Sequence, residues 1–112
     1  MQDDQLHSTA AMIVRDFEIE SATDQTYTEE QLFDLLADQI AYMIEYRLEF
    51  LLSLMYRLDI SEKKVNAALS PYAEEPANVG LAKLVLERQK QRAFTKKFYK
   101  QEDLGEHEDL AF

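Results

Sequence analysis

The sequence predicts an all-α fold, a small bundle of three to four helices. Of its 112 residues 46% are apolar and 30% charged, and only two are Gly and two Pro, a composition typical of compact helical proteins. Apolar residues recur at helical spacing through residues 29–58, where neither Pro nor Gly interrupts them. Start and stop signals mark two further helices, over residues 62–69 and 77–100.

Residues 1–26 are compatible with two structures. Apolar residues from Leu6 to Phe17 recur at three- and four-residue intervals, as on one face of a helix. Those from Ile13 to Ile19 also alternate with polar residues, as in a strand. We expect either a short helix or an acidic arm held loosely against the bundle.

The longest predicted helix begins after Thr28. Thr28 is followed three residues later by Gln31, the arrangement of a capping box that satisfies free backbone N–H groups at a helix start. On a helical wheel of about 100° per residue, acidic residues then occupy one stripe and apolar residues face the opposite way. This acidic stripe consists of Glu30, Asp34, Asp38 and Glu45.

The polar and apolar positions change phase near residues 46–48. The same wheel places Arg47 in the middle of the apolar face. It places Leu48, Leu52 and Tyr56 on the side of the acidic stripe. A uniform amphipathic helix therefore does not account for the whole of this stretch.

Two explanations of the phase change are open. Either the helix kinks at this point, or residues 48–58 are covered on nearly all sides by the fold or by a second copy. We favour burial of residues 48–58 over a kink, because no Pro or Gly is present to break the helix. In both cases Arg47 needs a carboxylate from another element, since Glu45 and Glu49 are too near in sequence and an unpaired buried guanidinium is costly.

A short helix is predicted over residues 62–69. Asp59 and Ser61 both offer side-chain oxygens that can cap its first turn. Pro71 ends it, because the residue before a proline is pushed out of the helical conformation.

The last helix is predicted over residues 77–100, after Pro76, which suits a first helical turn. No repeat or linker divides the chain. We expect one helical domain over residues 27–101, preceded by the segment 1–26 and followed by an acidic tail over residues 102–112.

Charge is distributed unevenly around a formal total of -10. Residues 1–45 hold eleven acids and one base, whereas residues 76–101 hold seven bases and one acid. The last eleven residues add five acids. Such an acidic half and basic helix attract each other, within one chain or between copies.

The basic last helix also changes its pattern. Leu81 and Val85 mark an apolar face, but the following turns of that face carry Arg88 and Arg92, so apolar packing is expected to end at Leu86. Together with the residue at the phase change, the exposed positions give six candidate interaction residues: Arg47, Arg88, Arg92, Phe94, Phe98 and Tyr99.

Three interpretations of this helix are open. Its arginines lie against the acidic stripe of the same chain or in solvent, or they pack with the aromatic residues against a second copy. In the third interpretation, residues 83–100 bind nucleic acid through basic and aromatic side chains. The charge of -10 and the sequence pI of 4.5 make nucleic acid the less favoured partner.

No catalytic, cofactor-binding or metal-binding residues are predicted. The chain has no Cys, and its two histidines, His7 and His107, lie near the termini among acids. Gly80 stands alone, so no glycine-rich phosphate loop is present. The acidic stripe offers oxygen ligands for a weak Mg²⁺ or Ca²⁺ site, but a solvated acidic face is the commoner arrangement.

These features lead to an expectation about location and function. The acidic start of the chain does not resemble an export signal, and no apolar run approaches the length of a membrane span, so we expect a cytoplasmic protein. The leading hypothesis is a non-enzymatic interaction or scaffold protein without a small-molecule substrate, self-associating as a homodimer through residues 48–58 and the last helix. The alternatives are a nucleic-acid-associated protein and, third, a carboxylate metal-binding protein.

Overall fold

The computed structural model describes residues 3–19 and 27–103, with side chains described for residues 5–19 and 27–95. The described part of the chain is all-helical, which confirms the predicted class. It contains five helices rather than three to four: α1 Asp3–Asp16, α2 Glu29–Tyr46, α3 Leu48–Arg57, α4 Glu62–Leu69 and α5 Ala77–Asp103. The difference arises at the N-terminal segment and at the phase change.

Helix α1 resolves the ambiguity at the N-terminal segment in favour of a helix. Ala10, Ile13 and Phe17 are buried in the common core, and α1 packs chiefly along α5. The spacing of these residues places them on one helical face, which only a helix presents to a neighbouring helix. The alternating pattern of polar and apolar residues therefore does not reflect a strand.

Helix α2 begins as predicted. The Thr28 hydroxyl accepts a hydrogen bond from the Gln31 backbone N–H at 3.0 Å, and the Gln31 side chain accepts one from the Thr28 N–H at 2.9 Å. Both bonds of the capping box are therefore present. The apolar face of α2 is buried: Leu32, Leu36, Ala37, Ile40 and Met43.

The phase change is a break in the helix at Arg47. Its φ of -142° and ψ of 47° lie outside the helical region, and it ends α2 and begins α3. Burial at the centre of the fold, the explanation we favoured within a single chain, is wrong: Leu48, Leu52 and Tyr56 are 41%, 38% and 85% exposed. The break rotates α3 relative to α2, so that each helix turns its own apolar face towards the core.

Helices α4 and α5 meet closely at Gly80. Ser61 caps α4 by accepting the Lys64 backbone N–H at 3.4 Å, and α4 has the bounds expected for it. A Cβ added at Gly80 would lie 3.2 Å from the Ala68 Cβ. The absence of a side chain at Gly80 thus allows the two helices their close approach.

Helix α5 lies at the centre of the bundle, in contact with α1, α2 and α4. Packing along it continues past Leu86, contrary to the prediction, because Gln89 and Ala93 are fully or almost fully buried. They lie under α1, and the Gln89 amide donates to the Asp16 carboxylate at 3.1 Å, which satisfies the buried polar group. None of the described helices is long and apolar enough to cross a membrane.

Candidate protein-interaction surface

Arg47 connects the break to the end of α1. Its Nη1 donates to Glu18 Oε1 at 2.9 Å, and its guanidinium lies 4.2 Å from the centre of the Phe50 ring. The prediction of a carboxylate partner on another element is confirmed, although the Arg47 side chain is 36% exposed rather than buried. The contact with Phe50 adds a cation–π interaction.

Arg88 binds the end of α3. Its Nε donates to the Leu58 carbonyl oxygen at 2.9 Å, and its Nη2 lies 3.7 Å from Asp59 Oδ2. Arg88 therefore does not lie against the acidic stripe, as one interpretation held. Positive charge at a helix C-terminus is favourable because unpaired carbonyl groups give that end a partial negative charge.

The ends of α1 and α3 have the same construction. Each terminates in a left-handed acidic residue, Glu18 with φ 55° and Asp59 with φ 63°. In each, the N–H groups of this residue and of the next one donate back to carbonyls of the last helical turn, a Schellman motif. The preceding carbonyl accepts a side-chain bond, from Gln39 at the end of α1 and from Arg88 at the end of α3. Arg47 and Arg88 thus each contact the end of another helix within the chain.

The other four candidate residues have different outcomes. Arg92 is exposed and its Nη1 donates to Gln89 Oε1 at 3.2 Å. Phe94 is 60% exposed on α5. Phe98 and Tyr99 lie on the backbone of α5, but their side chains fall outside the described residues.

The acidic stripe is exposed and makes little contact with the basic helix. Lys90 Nζ binds the neighbouring Glu29 at 2.6 Å, which is the one ion pair between α2 and α5 among the described side chains. No three described His, Asp or Glu side chains converge in a way that could hold a metal ion. His7 is exposed, and His107 falls outside the described residues.

The most distinctive exposed feature is apolar and lies on both sides of the break. Tyr42 and Tyr46 are 51% and 69% exposed at the end of α2, with ring centres 5.1 Å apart. Leu48, Leu52 and Tyr56 follow at four-residue intervals along the outer face of α3. Tyr46 and Leu48 flank Arg47 in the sequence, one at the end of each stripe. We call these five residues the tyrosine–leucine surface.

The size of this surface is informative. With ~200 Å² for a whole tyrosine, its three tyrosines alone expose on the order of 400 Å². A typical monomer has a largest apolar patch of roughly 300–600 Å², which is often functional. A standard protein–protein interface covers about 800 Å² per partner. The exposed area of the three tyrosines is thus about half of the area that one partner contributes to a standard interface, before the two leucines are counted.

Charged residues lie beside this surface on α3. Glu49 is in the first turn of α3 and Arg57 in its last, and both are exposed. Neither forms an ion pair with any described residue. The acid lies near the positive end of the helix dipole and the base near the negative end, which favours α3 itself.

The sequence pattern reveals only part of this surface. It singled out Leu48, Leu52 and Tyr56 through their unusual phase, but it did not mark Tyr42 and Tyr46. Tyr42 and Tyr46 are four residues apart, which places them on one face of α2 next to the acidic stripe. That spacing is the sequence feature that could have revealed them.

Comparisons with protein-family models, curated proteins and solved structures find no match to this chain. Its function has to be inferred from the chemistry of its own surface.

Proposed function

We propose that this chain is a non-enzymatic interaction protein that forms a homodimer through the tyrosine–leucine surface. The supporting observation is the concentration of five large exposed apolar side chains on neighbouring parts of α2 and α3. Tyrosine is enriched at protein interfaces because its ring provides a large apolar area and its hydroxyl tolerates water. Burying this area against a partner provides the driving force for association.

The charges on α3 favour a second copy as the partner. A two-fold symmetric interface presents the same surface from both chains. When the two-fold axis runs across α3 rather than along it, the two α3 helices are antiparallel, and a residue near one end of α3 meets residues near the other end of its symmetry mate. Glu49 and Arg57 are placed symmetrically about Ser53. Antiparallel α3 helices therefore bring Glu49 of each copy next to Arg57 of the other, and the pair forms twice.

The centre of α3 suits the symmetry axis. Leu52 and Ser53 are both exposed there, one apolar and one small. Small residues let two helices approach closely, and Leu52 packs against its own symmetry mate. Leu48 at one end lies near Tyr56 of the other copy, which keeps apolar side chains in contact along the whole helix.

The proposal is tested with a matched pair of variants, Tyr56→Asp and Tyr72→Asp. Both tyrosines are highly exposed, at 85% and 92%, but Tyr72 lies in the connection between α4 and α5, outside the tyrosine–leucine surface. Each variant removes one aromatic ring and adds one negative charge. Sedimentation equilibrium over a range of micromolar concentrations then measures the dissociation constant of each form.

We expect the unmodified chain and Tyr72→Asp to form dimers with similar affinity. Tyr56 is the most exposed residue of the tyrosine–leucine surface, and loss of an interface hot-spot residue costs about 2 kcal/mol or more, so Tyr56→Asp is expected to raise the dissociation constant at least ~30-fold. A monomeric unmodified chain at these concentrations, or equal dissociation constants for the two variants, contradicts the proposal.

The nucleic-acid alternative has weaker support. Arg88 binds the end of α3 within the chain, and Lys90 is paired with Glu29, so two of the bases on α5 are engaged internally. The formal charge of -10 opposes phosphate neutralisation over an extended site. The central position of α5 also makes α2 and α3, rather than the last helix, the main elements of the proposed interface.

A further inference from the structure

A groove of about 550 Å³ lies between α1 and α5, and it shares no lining residue with the tyrosine–leucine surface. Arg15 and Met12 line it from α1, and Arg88 and Arg92 line it from α5 together with Gln91 and Thr95. Three of its six lining residues are arginines, and none is acidic. This is a local concentration of positive charge in a chain that is acidic overall. We call it the arginine groove.

Each guanidinium is held in place by a neighbour. Arg15 Nε donates to Asp16 Oδ1 at 3.0 Å, although the Arg15 side chain is 69% exposed, and Arg88 Nε donates to the Leu58 carbonyl at 2.9 Å. Arg92 is held through the side chain of Gln89. A guanidinium carries five N–H donors, so these bonds orient the side chains while leaving terminal nitrogens for a ligand.

The carboxylates near the groove reduce its charge without cancelling it. Asp16 accepts from Arg15 and from Gln89, and its side chain is only 18% exposed. Asp59 lies 3.7 Å from Arg88 but is 89% exposed, so water weakens that interaction. Arg92 has no carboxylate partner among the described residues, which leaves the groove with a net positive charge.

We propose that the arginine groove binds a small phosphate-bearing anion, a polyphosphate group alone or as part of a nucleotide. Arginine matches phosphate oxygens with paired N–H donors and binds them with charge-assisted hydrogen bonds. The Thr95 hydroxyl and Gln91 amide add neutral donors at the same groove. Its volume is within the range of about 300–1,000 Å³ typical of small-ligand sites.

A small anion fits the charge distribution better than a nucleic acid. A long polyanion would extend beyond the groove over the acidic surface of the chain, where repulsion opposes it. A polyphosphate of three groups matches the number of guanidiniums that line the groove. This inference does not depend on whether the chain forms a homodimer.

The test is isothermal titration calorimetry of the full chain with two probes, sodium triphosphate and ATP, at low salt and without added metal. The test variant is the double substitution Arg15→Gln and Arg92→Gln, which spares Arg88 and its bond to α3. The matched control is Lys63→Gln on the exposed face of α4, which removes a positive charge far along the chain from the groove residues. Circular dichroism confirms that each variant is folded.

We expect the unmodified chain to bind at least one probe with a dissociation constant below ~1 mM, and the double variant to bind it at least ~10-fold more weakly. Lys63→Gln is expected to bind as the unmodified chain does. Similar affinity for both probes identifies phosphate groups as the recognised feature, whereas tighter binding of ATP adds a nucleoside contact. Absence of heat with both probes, or equal losses in the double variant and the control, overturns the proposal.

Discussion

Charge reversal on α3 examines the proposed dimer geometry most directly. The single substitutions Glu49→Arg and Arg57→Glu each place like charges opposite one another at both symmetric contacts. The combined substitution Glu49→Arg with Arg57→Glu exchanges the two charges and restores opposite charges at each contact. Glu74→Arg, a charge reversal at an exposed position between α4 and α5, serves as the control.

The expected magnitude follows from the exposure of these side chains. An exposed ion pair contributes about 0.5 kcal/mol, and a like-charge pair costs a similar amount. The contact occurs twice, so one reversal is expected to cost roughly 2 kcal/mol, or about 30-fold in the dissociation constant. The doubly reversed chain is expected to recover most of this loss, apart from the less favourable placement of the charges relative to the α3 dipole.

The assay is sedimentation equilibrium of all four forms and the unmodified chain at two salt concentrations. Because the paired charges are at the rim of the interface, we expect the differences between variants to shrink as salt is raised to physiological ionic strength, where the screening length is about 8 Å. The apolar contribution of the tyrosine–leucine surface depends on salt much less. Circular dichroism shows whether each form keeps its helices.

The decisive comparison is between the doubly reversed chain and the sum of the effects of the two single reversals. If the doubly reversed chain associates as weakly as the two single losses combined, Glu49 and Arg57 do not meet across the interface and the antiparallel arrangement is wrong. If Glu74→Arg weakens association as much as Glu49→Arg does, the effect reflects overall charge rather than a specific contact.

Three further predictions concern stability and are measured by urea unfolding followed by circular dichroism. Asp59→Gly should raise the free energy of unfolding by about 0.5–1 kcal/mol, because glycine adopts the left-handed conformation without strain and the exposed pair with Arg88 contributes little; a decrease would show that this pair matters more than the backbone. Thr9→Val should raise it by about 1 kcal/mol, because the Thr9 hydroxyl is buried without a hydrogen-bond partner; an unchanged midpoint would mean that the hydroxyl is satisfied in solution. Ala93→Leu should lower the free energy of unfolding by about 1–3 kcal/mol, because Ala93 is 3% exposed in the packed part of α5 and a larger side chain overpacks it; an unchanged free energy of unfolding would mean that α1 and α5 leave room for the leucine side chain.

The features that could be predicted from the sequence depend on a few neighbouring residues. The start of α2 follows from Thr28 and Gln31, which interact across three positions whatever the rest of the chain does. The bounds of α4 follow in the same way from Ser61 and Pro71. Such local hydrogen bonds and steric limits act within a single turn, so the sequence is sufficient to predict them, and the structure confirms both.

The sequence indicates that the helical pattern changes at Arg47, but it does not show whether the helix breaks there or continues and is buried on nearly all sides. The wheel showed a change of phase there, yet neither Pro nor Gly marks an interruption. The backbone leaves the helical region because α2 and α3 must each turn a differently placed apolar face towards the same core. That choice is made by packing against distant helices, and a single-helix pattern contains no information about it.

For the candidate site, the sequence predicts unusual residues but not their contacts. The sequence identified Arg47 and Arg88 as unusual, but their partners, Glu18 and the Leu58 carbonyl, lie 29 and 30 positions away. Only the assembled bundle shows that both arginines hold helix ends. The burial of Gln89 likewise depends on Asp16, 73 positions away, and it could not be inferred from the wheel of α5.

By itself, the sequence determined that this protein is helical, where α2 and α4 begin, and that a phase change occurs near Arg47. Local spacing and capping chemistry are sufficient for these features. Only the tertiary structure decided that α3 is rotated out of line with α2, that its outer face is left apolar, and that three arginines line one groove. These features arise from contacts between residues far apart in the chain, whose geometry exists only once the helices have packed.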